Sequence, residues 1–191
     1  MPNPARRSLL LLPLLCWPVR ARADAFPLAA LMARLAAVPE RRATFRETRR
    51  FAALSEPLVS QGHLLYRRPD YMEKVTDWPQ PERLVIDGDR LIITAGNEPP
   101  HVVPLGAQPE MRTLVEGMRG PLAGDLPALQ RNFEVAAAGD LTSWTLTLTP
   151  RDPRATRLVR SIVVSGVADA IRAIRLTQAN GDEQVMQIGP A

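Results

Sequence analysis

From residue 43 onward, apolar and polar side chains alternate with a period of two, and turn residues break the pattern at short intervals. The clearest stretch is Leu58–Arg67 (LVSQGHLLYR). Leu58, Ser60, Gly62, Leu64 and Tyr66 fall on one face, and Val59, Gln61, His63, Leu65 and Arg67 on the other, as in a strand. Arg68-Pro69-Asp70 turns the chain into a second strand, Tyr71–Trp78, and Pro79-Gln80-Pro81 separates that from Glu82–Asp87. Asp87-Gly88 is a tight-hairpin signal leading into Arg90–Ala95. Residues 43–52 form a more polar strand before this block, and 101–105 another after it.

Elsewhere the period lengthens. In 26–38 (FPLAALMARLAAV), Leu28, Leu31, Met32, Leu35 and Ala36 recur at three- and four-residue spacings and predict an amphipathic helix that Pro39 ends. In 109–119, Met111, Leu114, Val115 and Met118 share one stripe, with Pro109 near the start and Gly120 just past the end. Leu122, Leu126 and Leu129 continue an apolar segment through two turns. Strands resume at 133–137, 143–149, 156–167, Ala170–Gln178 and 184–188, with turn signals at Gly139-Asp140 and Gly181-Asp182. These elements predict a mainly β protein with helices (α+β), built on a single antiparallel sheet of about ten strands. Sheets of that size curl. A curled sheet with helices over its concave side is a half-open β-barrel with a helical lid.

The N-terminus has another character. Arg6 and Arg7 precede an apolar run, 9–19, and Ala21-Arg22-Ala23 places small residues where a signal peptidase reads them. Residues 1–23 are therefore expected to be a secretory signal peptide, and 24–191 a single domain. Eleven residues rise only about 16 Å as a helix, short of the roughly 30 Å hydrocarbon core of a membrane. Cys16, the one cysteine, lies inside this segment. A lipoprotein signal acylated at Cys16 is the alternative, but Leu15 is large for that processing. Cleavage also changes the charge. The chain has 24 basic and 20 acidic residues, and residues 1–23 hold four arginines (Arg6, Arg7, Arg20, Arg22) and no acids. The mature part thus carries 20 of each, and its zero net charge removes the case for a nucleic-acid partner. The expected product is a soluble, monomeric protein of the periplasm.

Enzyme chemistry finds no foothold. His63 and His101 have no ligand partners at metal spacing. Ser165-Gly166 lacks the preceding glycine of a nucleophile elbow. Asp87, Asp89 and Glu82 read as a solvated turn. No catalytic residue, metal or cofactor is expected. The aliphatic-rich, aromatic-poor composition, with Met72, Met111, Met118 and Met186 spread over several elements, suits an adaptable apolar surface as well as a core.

The succession Gly62-His63-Leu64-Leu65-Tyr66-Arg67-Arg68-Pro69, Pro81-Glu82 and Leu84-Val85-Ile86-Asp87-Gly88, following an N-terminal helix, resembles the LolA-like outer-membrane lipoprotein carriers. The resemblance implies a half-barrel around an apolar cavity. It implies acylated lipoprotein as cargo, an inner-membrane exporter as donor and an outer-membrane acceptor. Arg68 falls on the family's lid latch, and its expected partners are backbone carbonyls of 111–124. Leu64, Tyr66, Met72, Leu84, Ile86, Leu91, Ile93, Met111, Leu114, Met118, Trp144 and Leu146 are the candidate lipid-facing residues. Met72-Glu73-Lys74 stands where such carriers have an aromatic run, and they continue further at the C-terminus. The expected cargo is therefore a lipoprotein or another acyl lipid. A periplasmic protein-interaction or sensor module on a similar half-barrel is the alternative.

Overall fold

The computed structural model describes residues 26–96 and 98–191. The expected signal peptide, with Cys16, lies outside the described residues. A helix, α1 (Leu28–Ala36), precedes six strands: β1 (Glu40–Arg50), β2 (Leu58–Arg67), β3 (Tyr71–Trp78), β4 (Glu82–Asp87), β5 (Arg90–Ala95) and β6 (His101–Pro104). A 3-10 turn at Leu105–Ala107 leads into α2 (Pro109–Ala123) and α3 (Leu126–Asn132). Five more strands follow: β7 (Phe133–Gly139), β8 (Ser143–Pro150), β9 (Val159–Val167), β10 (Ala170–Gln178) and β11 (Glu183–Pro190).

All eleven strands form one antiparallel sheet in the order β6-β5-β4-β3-β2-β1-β11-β10-β9-β8-β7. Each arm is a run of hairpins, and the arms meet at a central seam where β1 pairs with β11, Ala43 opposite Pro190 through Arg50 opposite Glu183. Among the described residues, the edges, β6 and β7, do not pair with each other. The connection between them is the helical insertion, so α2 and α3 lie where a closed barrel would have strands.

Directly paired residues share a face, so the register lays out rows across the sheet. One inner-face row runs Tyr66, Met72, Ile86, Leu91, Val103. Another runs Glu47, Met186, Ile174, Val164, Leu146, Ala137. The inner face carries two apolar clusters. In the β7–β11 arm, Trp144, Leu146, Leu148, Ile162 and Val164 pack with Leu31, Met32 and Leu35 of α1 and Leu129 of α3. In the β2–β6 arm, Ile86, Leu91 and Val103 pack with Leu105 and with Val115 of α2, and Met72, Ile93 and Met111 lie against them.

The helical insertion differs from the sequence expectation. Helix α2 runs past Gly120 to Ala123, with Pro121 in its last turn. Its stop is Gly124, left-handed at φ 65°, and the Asp125 amide bonds back to the Gly120 carbonyl at 3.2 Å. Gly120 stays helical because α3 crosses against it: a Cβ there would sit 2.4 Å from Leu129 Cδ2. The apolar segment that follows is one short helix, α3, capped by Asp125, whose carboxylate accepts the Ala128 amide at 2.9 Å. Strand β9 begins at Val159 rather than Thr156, because Ala155–Arg157 form a 3-10 turn. Leu105 likewise belongs to a turn, not to β6. Strand β1 starts earlier than its polar sequence suggested, at Glu40, since pairing with β2 and β11 decides its length.

Candidate functional site

The inner face changes character along the strands. One end of the sheet bears the turns 68–70 and 87–89, and the helices are tied there. Two arginines hold α1 by its C-terminal carbonyls, the negative end of its dipole. Arg68 donates to Ala36 O, and its backbone amide to Pro39 O at 2.9 Å. Arg41 donates to Leu35 O at 3.2 Å and to Asp169 O at 2.7 Å, so it also reaches the β9–β10 turn. Burial lowers the Arg41 pKa from its ordinary value, against the opposing pull of Asp169 and then Tyr66. Arg68 was expected to bond carbonyls of 111–124. It bonds α1 instead, because the turn that carries it lies beside the end of α1.

Helix α2 is tied by other residues. Arg112 pairs with Asp89 at 2.7 Å, and the Gly106 amide donates to the same carboxylate at 3.1 Å. Arg119 donates to Gly88 O at 3.3 Å and also bonds Glu116. The side-chain bond from Arg112 holds the Asp89 carboxyl below its ordinary range. The Asp87-Gly88-Asp89 hairpin is therefore the anchor of α2 as well as a turn.

Of the candidate lipid-facing residues, Met72, Ile86, Leu91, Ile93 and Met111 come together in the cluster under α2. Leu114, Trp144 and Leu146 belong to the other arm's cluster. The Trp144 indole donates to Ala168 O at 2.8 Å, which fixes that ring as structure. Tyr66 is buried, and its hydroxyl donates to Pro69 O at 3.4 Å. Burial pushes its pKa up, while Arg68, Arg119 and Arg41 act in the opposite direction. Leu64 and Leu84 are half-buried and flank Lys74 in the next row, and Met118 is half-buried on α2.

Sequence reasoning missed the charged group at the other end of the inner face. Glu47 is fully buried and is bonded by both Lys74 and Arg49. Lys74 also lies over the Phe45 ring, 4.8 Å from its centroid. Strand alternation held the signal: Glu47 shares a face with Phe45, and a buried acid needs a cation, which the lone lysine supplies. The outer face is polar at its centre. A groove of about 530 Å³ there is lined by residues including Arg46, Gln61, His63 and Asp77, with His63 Nδ1 and Asp77 paired at 2.8 Å.

The family of outer membrane lipoprotein carrier proteins described as LolA-like matches residues 20–191. The chain belongs to this LolA-like family. With it comes a carrier-like fold, that of the outer membrane lipoprotein carriers. A DUF1329 family protein from Desulfovibrio piger shares the LolA-like chain's fold, with a TM-score of 0.51 at 12% identity over 85% of this chain and 88% of that one. A LolA superfamily protein from Nitrosomonas europaea gives 0.43 at 9% identity, over 85% and 92%. MucB of Pseudomonas aeruginosa, solved in complex with MucA, gives 0.44 at 13% identity, over 85% of this chain and 56% of that one. No curated protein matches the LolA-like chain.

Proposed function

We propose that this LolA-like protein is a periplasmic carrier that shields the acyl chains of a lipoprotein or another lipid on the inner face of its half-barrel during transfer towards the outer membrane. The observation that carries the reading is the strip Met72, Ile86, Leu91, Ile93 and Val103 beneath α2. Helix α2 covers it with Met111 and Val115 and is tied across it by exposed or carbonyl-directed polar contacts, Arg112 to Asp89 and Arg119 to Gly88. An exposed ion pair contributes about 0.2–1 kcal/mol and a hydrogen bond about 0.5–1.5 kcal/mol. Each apolar side chain lifted off the strip costs about 1.5–3 kcal/mol. A 16-carbon acyl chain gains on the order of 10 kcal/mol on leaving water. Cargo can therefore displace α2 from the strip, and α2 can close again after release. The apolar signal-like run at residues 9–19 supports export. Among the described residues, no helix is long and apolar enough to cross a membrane.

The test is native mass spectrometry of protein purified from a Gram-negative host, followed by titration of the delipidated protein with a diacylated lipopeptide. Bound acyl-lipid masses and saturable uptake are expected. Protein that emerges empty and takes up no lipopeptide would overturn the carrier reading and favour an interaction module.

A further inference from the structure

A charged cluster of Glu47, Lys74 and Arg49 lies at the far end of the inner face. Glu47 lies six residues along β1 from Arg41, roughly 20 Å from the end where the helices are tied. Between the two, the face passes from Tyr66, Met72, Ile86 and Leu91 to Lys74, Thr76, Glu47 and Arg49. One fully buried carboxylate is bonded there by two cations, so Glu47, Lys74 and Arg49 together carry one net positive charge. Lys74 is 13% exposed and is fixed by Glu47 and the Phe45 ring. Arg49 is 41% exposed and bonds Glu47 through Nε, which leaves the outer edge of its guanidinium fork for another partner. Ser60 and Gln184, paired with Glu47 and Arg49 on the neighbouring strands, extend the polar patch on the same face. Glu82, paired with Thr76, bounds the patch on the β4 side, and Asp182, whose carboxylate accepts the Ala52 amide at 2.8 Å, lies beyond Gln184 on the β11 side.

We infer that Arg49 and Lys74 form a binding site for the anionic head group of the cargo, with phosphate as the chemical class, while the acyl chains lie along the apolar rows. Glu47 acts as the positioning residue that holds both cations towards the inner face. A guanidinium fork matches a phosphate with two parallel bonds, and the ammonium adds a point charge. This assignment rests on the carrier reading above.

The experiment measures binding of dioctanoyl phosphatidylglycerol, of uncharged dioctanoylglycerol and of inorganic phosphate to the delipidated protein. The acyl chains are the same in both lipids, so their difference isolates the head group. Phosphatidylglycerol is expected to bind about tenfold more tightly than dioctanoylglycerol, equivalent to about 1.4 kcal/mol. Arg49→Gln is expected to abolish that preference while dioctanoylglycerol binding, which reports the fold, stays unchanged. Arg49→Lys, which keeps the charge, is expected to retain a part of it. Equal binding of the two lipids by the wild type overturns the head-group site and leaves the carrier reading intact. Binding of neither lipid overturns the carrier reading and this site with it. Inorganic phosphate binding as tightly as phosphatidylglycerol would make this a free-anion site and overturn the head-group assignment.

Discussion

Glu47 has no exposed surface, and its two cations make it sensitive to the loss of either. Removing one partner of a buried pair costs about 3–5 kcal/mol, because the remaining charge is left uncompensated. Arg49 stays in Lys74→Ala, so the expected loss lies near the lower end of that range in urea unfolding. The double change Glu47→Gln with Lys74→Met removes the buried carboxylate and its more buried cation, leaves the part-exposed Arg49, and is expected to lie within about 1 kcal/mol of wild type. A larger loss in the double variant than in Lys74→Ala would contradict this account. Asp89 makes a prediction in pH. Its folded pKa is lowered, first by the Arg112 bond, then with help from the Gly106 amide and Arg119. A depressed carboxylate stabilises the fold above its ordinary value, about 3.9, and that contribution is lost as pH falls through the lower folded value. The protection of amides in the first half of α2, taken relative to the intrinsic exchange rate at each pH, is expected to fall below about pH 4 in the wild type. In Asp89→Asn that protection is expected to be low already at neutral pH and to show no such acid step.

At the scale of elements, α2 is held by shape on one side and by charge on the other. Gly117 faces the β7–β11 arm so closely that a Cβ would sit 2.4 Å from Ile162 Cδ1 and 2.9 Å from Phe133 Cζ. Both neighbours are buried, so Gly117→Val is expected to cost about 1–3 kcal/mol by overpacking, read by chemical unfolding. On the other side, Arg112→Ala is expected to leave the urea midpoint close to that of the wild type, as for an exposed pair, and to speed lipid uptake in stopped-flow measurements. Unchanged uptake would detach α2 from the gating role. The hairpins from Leu58 to Ala95 were legible in the sequence because their turns are local chemistry: Arg68-Pro69-Asp70, Pro79-Gln80-Pro81 and Asp87-Gly88 each allow little else. The end of α2 was not, because Gly120 and Gly124 offer the same local signal. The choice between them depends on Leu129, which packs against Gly120 from the next helix. The partner of Arg68 was illegible for a similar reason, since a sequence shows that a cation ends a strand but not which helix end lies beside it.

The whole molecule adds a linkage prediction. A ligand at one hundred times its dissociation constant stabilises the folded state by about 2.7 kcal/mol if the unfolded chain does not bind it. For a domain of this size that raises Tm by roughly 5–10 °C. A diacylated lipid that binds without shifting the melting curve would mean that the unfolded chain takes it up equally well. The sheet's strand order was the part of the fold that could not be read beforehand. Alternation gives each strand its faces, but nothing local says that β1 pairs with β11 across nearly the whole chain. That seam bears on how the molecule is made. As the chain emerges from its N-terminus, β1 through β6 can zip together as successive neighbours, yet β1 keeps one row of amides and carbonyls unpaired until the final strand appears. A newly made first arm is thus an open template for another copy of itself. The last eight residues of the sheet, Glu183–Pro190, protect it as well as complete it.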